Sequence, residues 1–162
     1  SVADEIAFGP RQLGLAGVDA RVARWARAFE VDRFLDRPPF ELSGGEKKRV
    51  ALAALLAADP KVLLLDEATA SLDPAWAARL VDFLGALEGT TVIASTHNLS
   101  IAEELGGRAV LLAPGRAGVC YDGPTAALLA DERLLVETGL AHRHAHRHGA
   151  TAHAHFHVHD SE

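Results

Sequence analysis

Residues 41–73 read ELSGGEKKRVALAALLAADPKVLLLDEATASLD. Ser43 and Glu46 stand three positions apart, directly before an apolar run with helical spacing, and they predict a capping box at the start of a helix. Gly44 and Gly45 lack Cβ atoms, so an anion can approach the N–H groups of that helix start. Taken alone, the same residues are also explained by a capped helix behind a glycine turn.

The stretch continues with an apolar run, residues 62–65, that ends in Asp66 and Glu67. A short all-apolar run predicts a strand buried on both faces. Adjacent carboxylates at a strand end repel each other unless a cation or proton is shared, which favours a magnesium ion at Asp66. Because successive strand residues point to opposite sides, Glu67 can polarise a water molecule. The alternative is a strand that ends in two surface acids.

Two further polar positions follow the acids. Asp73 predicts the cap of a helix that begins at Pro74 and runs to about Leu87. The β-branched run 90–93 predicts a second strand that ends shortly before His97. A lone histidine is usually a structural or surface residue, but ligands of α/β sheets lie beyond the carboxyl ends of the strands, so the position of His97 raises the expectation of a functional role.

The flanking segments show helical and strand patterns with turn signals between them. The predicted elements are a short apolar segment at 6–15 broken by a Gly9-Pro10 turn, a helix at 20–29, a hairpin at 109–121, and closing helical segments at 124–129 and 131–137.

Composition restricts the class of protein. The chain has 162 residues, 49% hydrophobic and 23% charged, as is usual for a soluble globular domain. Its formal net charge of −6 argues against a broad nucleic-acid-binding face. No apolar run approaches the roughly 20 residues of a membrane span. Cys120, the single cysteine, cannot form an internal disulfide, and we interpret it as a small core residue in a reducing compartment.

In this order and spacing, the motifs resemble those of the ATP-binding subunits of ABC transporters, and the resemblance spans residues 1–140. Residues 42–46 are similar to the ABC signature, with Glu46 where glutamine is commoner. Residues 63–67 are similar to Walker B, residues 70–73 to the D-loop, and His97 to the switch histidine.

This resemblance implies an α/β fold, namely the C-terminal portion of a P-loop NTPase of the ABC ATPase type. It would consist of a helical subdomain and part of a RecA-like core, followed by a disordered His-rich tail. The expected boundaries are 1–58 for the helical subdomain with the signature helix, 59–123 for the RecA-like core, 124–140 for the closing helices and 141–162 for the tail.

Within the family, residues 2–15 and 123–140 are most similar to the energy-coupling-factor ATPases of cobalt and nickel importers. The resemblance therefore implies an importer of cobalt or nickel ions. It also implies two partners: a second ATPase subunit, identical or different, and an integral membrane transporter subunit. The chain would lie at the cytoplasmic face of the cell membrane and bind no nucleic acid.

The resemblance also implies that the chain uses ATP and Mg²⁺, and that residues at the matching positions have the family's roles. Asp66 would help to hold Mg²⁺, Glu67 would orient or deprotonate the attacking water, and His97 would contact the γ-phosphate. Because the signature serves the nucleotide of the other subunit, hydrolysis would require a dimer. The residues that would bind the partner's nucleotide or sense the opposite site are Ser43, Gly44, Gly45, Glu46 and Asp73.

The family's P-loop motif, G-x-x-x-x-G-K-[ST], does not occur in the 162 residues, and neither do the adenine-stacking aromatic loop and the Q-loop glutamine. The chain begins at Ser1 and contains no methionine, so we interpret it as an N-terminally truncated piece whose P-loop half lies upstream. Without the P-loop amides and lysine, the chain alone is expected to bind ATP weakly and to hydrolyse it negligibly.

Eight of the nine histidines lie near the end of the chain and mostly alternate with other residues. Alternate residues of an extended segment share a side, so neighbouring imidazoles can converge on Ni²⁺, Co²⁺, Zn²⁺ or Cu²⁺. We expect a tail that is disordered without metal and that buffers or senses the transported ion; a solvated low-complexity tail is the alternative. The positions are His142, His144, His146, His148, His153, His155, His157 and His159.

Two other functions stay open on the sequence. An ABC ATPase without a transporter, as in DNA repair or ribosome-associated proteins, shares the signature and Walker B, although such proteins usually carry long inserts or tandem cassettes. A non-catalytic metal-binding protein built on an ABC remnant is compatible with the missing P-loop.

Overall fold

The computed structural model describes residues 1–70, 72–113, 115, 118–148 and 151–158. The chain divides into two compact units, which are described separately below. The first unit comprises Ser1–Leu63, Ala70–Pro74 and Gly89–Val92, and the second comprises Leu64–Thr69, Ala75–Glu88 and Ile93–Glu162. The domain boundaries expected after residues 58, 123 and 140 stay predictions.

Helices and strands alternate between residues 44 and 112, and short 3₁₀ turns lie at Asp32–Phe34, Pro39–Glu41 and Leu99–Ile101. The helices are α1 (Val2–Gln12), α2 (Val18–Ala28), α3 (Gly44–Ala57), α4 (Pro74–Gly85), α5 (Ala102–Leu105), α6 (Thr125–Ala130) and α7 (Glu132–Glu137). The strands are β1 (Val62–Asp66), β2 (Thr91–Ser95), β3 (Arg108–Leu112), β4 (Val119–Pro124), β5 (Ala141–His148) and β6 (Thr151–Val158).

Helices α1, α2 and α3 pack against one another in the first unit. Their contact is close near the ends of α1 and α3, because a Cβ added at Gly9 would lie 3.2 Å from the Cβ of Ala58. The buried side chains that form this core include Ile6, Phe29, Val31, Val50, Leu52 and Leu56.

Helix α1 corrects the sequence prediction of an apolar segment broken at Gly9-Pro10. The helix runs through Pro10, which is buried near its last turn. Proline removes one backbone donor, so the carbonyl of Ile6 loses its usual helical partner. Burial of one face of α1 against α3 outweighs this loss. Gly9 does not form a turn; its lack of a side chain allows the close contact between the two helices.

Strands β1 and β2 form a two-stranded sheet. The N–H of Thr91 donates to the carbonyl of Lys61, and the N–H of Glu67 donates to the carbonyl of Ser95. Because the beginnings of the two strands are joined at one end and their carboxyl ends at the other, the strands run parallel.

Burial of β1 differs from the sequence prediction. Leu63 and Leu65 are buried, but Val62 is 55% exposed and Leu64 is 69% exposed. The prediction of burial on both faces is therefore wrong for the described chain. An all-apolar pattern indicates side chains that favour burial, but it does not show what covers them. Here the described residues cover only one face of the strand.

The second unit has its own apolar core, and the half-buried Cys120 packs against it as predicted. Strands β3 and β4 pair antiparallel as the predicted hairpin, with a bulge between Leu111 and Leu112. Helices α6 and α7 confirm the two closing helical segments. The buried members of the core are Leu99, Leu111, Leu128, Leu135 and Ala141.

The His-rich segment contains strands β5 and β6. Strand β5 pairs antiparallel with β6, from Ala141 opposite Val158 to His148 opposite Thr151. The two-residue alternation along both segments matches the period of a β-strand. The hairpin is joined to the folded unit at its base, because Ala141 is buried in the apolar core and β5 contacts α7.

No helix among the described residues is long and apolar enough to cross a membrane.

Candidate functional site

Helix α3 begins with the capping box that the sequence predicts. The Ser43 hydroxyl accepts a hydrogen bond from the Glu46 N–H at 3.3 Å, and the Glu46 carboxylate accepts one from the Ser43 N–H at 2.9 Å. The same carboxylate accepts a second bond, at 2.8 Å, from the Ser43 hydroxyl. Two of the N–H groups at the helix start are thus satisfied by these two side chains.

The glycines of this segment leave the helix start accessible. Ser43 and Gly44 are exposed, and a Cβ added at Gly44 would meet no atom within 4 Å. Gly45 and Glu46 are half-buried. An anionic group can therefore reach the backbone at Gly44, at the positive end of the dipole of α3.

The hydrogen bonds from Ser43, first from its backbone N–H and then from its hydroxyl, lower the pKa of Glu46 below its ordinary value of 4.5. A carboxyl with a lowered folded-state pKa stabilises the fold above its unfolded-state pKa, and this contribution is lost as pH falls through the folded value. We therefore expect the free energy of unfolding to fall as pH is lowered from 4.5. In Glu46→Gln, the contribution of Glu46 to the dependence of the free energy of unfolding on pH should be absent. Denaturant titrations of both proteins between about pH 6 and 3 measure this dependence, and the same dependence in both proteins would contradict the prediction.

The carboxyl ends of β1 and β2 bring a second group of polar residues together. The Ser95 hydroxyl donates a short hydrogen bond to the Asp66 carboxylate. The Glu67 N–H donates to both the hydroxyl and the carbonyl of Ser95, at 3.2 and 3.3 Å. One residue of β2 thus fixes the two consecutive acids at the end of β1.

Glu67 and His97 form an ion-pair geometry in this group. The Nδ1 atom of His97 lies 2.8 Å from Oε1 of Glu67, and both side chains are partly exposed. The sequence prediction that His97 follows the carboxyl end of a strand is confirmed by its position after β2. The structure therefore brings Asp66, Glu67 and His97 together, with Ser95 between them.

Glu67 has a backbone φ of 47°, in the left-handed region that disfavours residues with a Cβ atom. We expect Glu67→Gly to be more stable than Glu67→Ala by about 1 kcal/mol, since both variants lose the carboxylate and only glycine relieves the backbone. Denaturant unfolding of the two proteins measures the difference.

The control pair is Asp82→Gly and Asp82→Ala on the exposed side of α4. There the order should reverse, with alanine more stable by about 1 kcal/mol, because glycine weakens a helix interior. Alanine proving the more stable residue at both positions would contradict the strain at Glu67.

The loop that leads to α4 is connected to α3. The Lys48 ammonium donates a hydrogen bond of 2.6 Å to the carbonyl of Ala70. Asp73 is exposed and directly precedes Pro74, the first residue of α4, as the sequence predicts. Ser71 lies outside the described residues.

The donor set at the strand ends fits Mg²⁺. Asp66, Glu67 and Ser95 offer carboxylate and hydroxyl oxygens, the ligand type that Mg²⁺ prefers. A carboxylate has about four acceptor sites, so Asp66 keeps acceptor capacity beyond its bond from Ser95. Among the described residues, no three His, Cys, Asp or Glu side chains form a ready-made metal cluster.

Most of the predicted tail ligands can be placed by backbone position only. His142, His144, His146 and His148 lie on β5, and His153, His155 and His157 lie on β6. His159 lies outside the described residues.

Ser95 is the site residue that the sequence reasoning did not assign. Its signal was available, because a hydroxyl residue ends the strand next to the two acids. Without the register of β1 against β2, however, the sequence could not show that this hydroxyl contacts Asp66 and the Glu67 backbone.

Comparison with known proteins identifies the family of this chain. The family model described as "AAA domain, putative AbiEii toxin, Type IV TA system" matches residues 18–103, more than half of the chain. The nickel import ATP-binding protein NikO of Rhodobacter capsulatus is 47% identical over 142 residues, which cover 83% of this chain and 55% of that protein. The cobalt import ATP-binding protein CbiO of the same organism is 41% identical over 144 residues, which cover 86% and 51%.

Among solved structures, cbiO1 from Clostridium perfringens, described as part of the ABC transporter complex cbiONQ, matches with a TM-score of 0.66 at 31% identity, over 86% of this chain and 57% of that chain. The chain belongs to the AAA-domain family, and the relatives that it matches are ABC transporter ATP-binding proteins. The predicted ABC ATPase fold is thereby confirmed. The chain spans about half the length of the curated relatives that it matches.

Proposed function

We propose that this ABC ATPase chain provides the water-activating and signature parts of an ATP-hydrolysing subunit in an energy-coupling-factor importer of cobalt or nickel ions. The observation that carries the proposal is the group at the carboxyl ends of β1 and β2. There Ser95 holds two consecutive acids, and the second acid contacts His97.

Each member of this group has a separate task. Asp66 helps to hold Mg²⁺, which neutralises charge that develops on the phosphates during transfer. Glu67 orients the attacking water and accepts its proton. His97, which lies 2.8 Å from Glu67, contacts the γ-phosphate when ATP is bound.

The exposed start of α3 acts on a different nucleotide, the one bound by the partner ATPase subunit. Ser43, Gly44 and Gly45 approach its phosphates, since backbone N–H groups at a helix start attract anions. Glu46 stabilises the start of α3 through the capping box. Asp73 senses the nucleotide site on the opposite side of the dimer. A dimer of ATPase subunits, identical or different, is therefore the active form.

Similarity to named relatives supports the substrate and the membrane partner. The two Rhodobacter capsulatus relatives are named as nickel and cobalt import proteins. The cbiO1 structure is described as part of a transporter complex. These names favour an importer over an ABC ATPase without a transporter, and they imply an integral membrane subunit that binds the chain at the cytoplasmic face.

A chimera tests the proposal directly. Residues 1–140 of this chain replace the matched part of NikO, so that the remaining part of that protein is supplied. We expect the chimera to hydrolyse ATP in a Mg²⁺-dependent, saturable manner. The 162-residue chain alone should show negligible hydrolysis, because it contains no P-loop sequence.

Phosphate release at equal protein concentration compares the two proteins. A chimera that binds ATP without hydrolysing it would contradict the proposed role of the strand-end group. Saturable hydrolysis by the chain alone would contradict the proposed dependence on a P-loop.

A further inference from the structure

The hydroxyl of Ser95 bridges the two consecutive acids at the end of β1. It donates a hydrogen bond of 2.5 Å to Oδ1 of Asp66, and its oxygen accepts one of 3.2 Å from the N–H of Glu67. A hydroxyl has a single proton to donate. Because the N–H of Glu67 is itself a donor, that proton is left for the Asp66 carboxylate, and one hydroxyl makes both bonds.

This bridge restricts the orientation of the Asp66 carboxylate. Asp66 is exposed, and the last torsion of an aspartate side chain has a broad energy profile, so the side chain by itself sets its orientation only weakly. The bond from Ser95 engages one of its two oxygens, Oδ1. A carboxylate has about four acceptor sites, and in the same orientation the other oxygen, Oδ2, can accept a cation.

Ser95 is supported by its own backbone. Its carbonyl accepts a second hydrogen bond, of 3.3 Å, from the same N–H of Glu67. It is also the last residue of β2, the strand that pairs with β1. The position of the hydroxyl relative to Asp66 is therefore set by strand pairing, and such a rigid support lets a hydrogen-bond partner orient a metal ligand.

We infer that Ser95 is a positioning residue for Mg²⁺: its hydroxyl orients the Asp66 carboxylate and thereby raises the affinity of the strand-end group for the ion. Because Asp66 is taken as a ligand of Mg²⁺, this role rests on the proposed function. Ser95 itself neither contacts the ion nor activates water. Hydrogen-bond partners of metal ligands typically contribute about 10- to 100-fold to metal affinity.

Two substitutions at Ser95 separate the effect of the hydroxyl from that of side-chain shape. Ser95→Thr keeps the hydroxyl, whereas Ser95→Val has a methyl group in its place and nearly the same shape as threonine. Both new residues are β-branched and suit a strand, and position 95 is exposed, so we expect both variants to fold. Thr91→Val is the matched control, because it makes the same hydroxyl-to-methyl change at the exposed first residue of β2.

Mn²⁺ alone is the probe, because it prefers the same oxygen ligands as Mg²⁺ and its unpaired electrons broaden the NMR signals of nearby amides. Titration of the 162-residue chain, followed at the amide signal of Glu67, gives a dissociation constant. We expect Ser95→Thr and Thr91→Val to bind Mn²⁺ as the unsubstituted chain does, and Ser95→Val to bind it about tenfold or more weakly. Equal dissociation constants for Ser95→Thr and Ser95→Val would overturn the inference.

Asp66→Asn distinguishes a failure of this inference from a failure of the proposed function. The substitution removes the carboxylate and should abolish the broadening at Glu67. If Asp66→Asn weakens Mn²⁺ binding and Ser95→Val does not, Asp66 keeps its proposed role and Ser95 has no positioning role. If Asp66→Asn leaves binding unchanged, or if Mn²⁺ does not broaden the Glu67 signal of the unsubstituted chain, the assignment of Asp66 to Mg²⁺ fails together with the role of Ser95.

Discussion

Replacing Glu67 with glutamine in the NikO chimera is expected to lower the rate of ATP hydrolysis about 100-fold or more, because a positioned general base contributes roughly 10²–10⁴-fold to a reaction rate. Glutamine has nearly the same shape but does not accept the proton of the attacking water. Binding of ATP should change little, since the lost group acts on the water. Phosphate release measures the rate, and fluorescence of a labelled nucleotide measures binding.

The matched control is Glu104→Gln. Glu104 is an exposed residue of α5 and lies outside the strand-end group, so the same chemical change there should leave the rate nearly unaltered. Equal rates for the Glu67→Gln chimera and the unsubstituted chimera would remove Glu67 from the proposed mechanism. A loss of ATP binding together with hydrolysis would instead indicate that the substitution disturbs the site.

Truncating Phe29 to alanine is expected to destabilise the first unit by about 3–5 kcal/mol, the usual cost of deleting a buried phenylalanine side chain. Phe29 is 1% exposed and is among the largest fully buried side chains. Its ring centroid lies 6.3 Å from that of Trp25, so the substitution removes an aromatic contact and leaves a cavity beside α2.

Trp25 is the natural reporter for this experiment. Trp76 is the other of the two tryptophans, and Trp76→Phe in all proteins leaves the fluorescence signal to Trp25. Phe40→Ala is the control, because Phe40 is 77% exposed and its loss should change the free energy of unfolding by less than about 0.5 kcal/mol. Similar unfolding midpoints for the two alanine variants would contradict the role of Phe29 in the core.

Local signals predicted the elements that depend on local chemistry. Ser43 and Glu46 predicted the start of α3 because a capping box is complete within four residues. The helix that begins at Pro74 and the hairpin of β3 and β4 were predicted for the same reason. Proline at the first helical position and a glycine-rich turn are signals that depend only on neighbouring residues.

Features that depend on contacts between residues far apart in the sequence could not be predicted from local sequence patterns. Gly9-Pro10 resembles a turn when only its neighbours are considered, whereas the close approach of Gly9 to Ala58, 49 positions later, makes it part of a helix. Val62 and Leu64 have the composition of a strand buried on both faces, yet their exposure depends on what covers the sheet. In the site, the role of Ser95 required the pairing of β1 with β2.

The hydrogen bond from Lys48 to the carbonyl of Ala70 has a mechanical consequence. In the chain, the loop before Asp73 follows β1, so covalent continuity alone would make it move with that strand. The 2.6 Å bond instead connects the loop to α3 within the same unit. A displacement of α3 would therefore pull on the loop through a side chain, and a lysine-to-methionine change at this position would uncouple the two while leaving the helix cap intact.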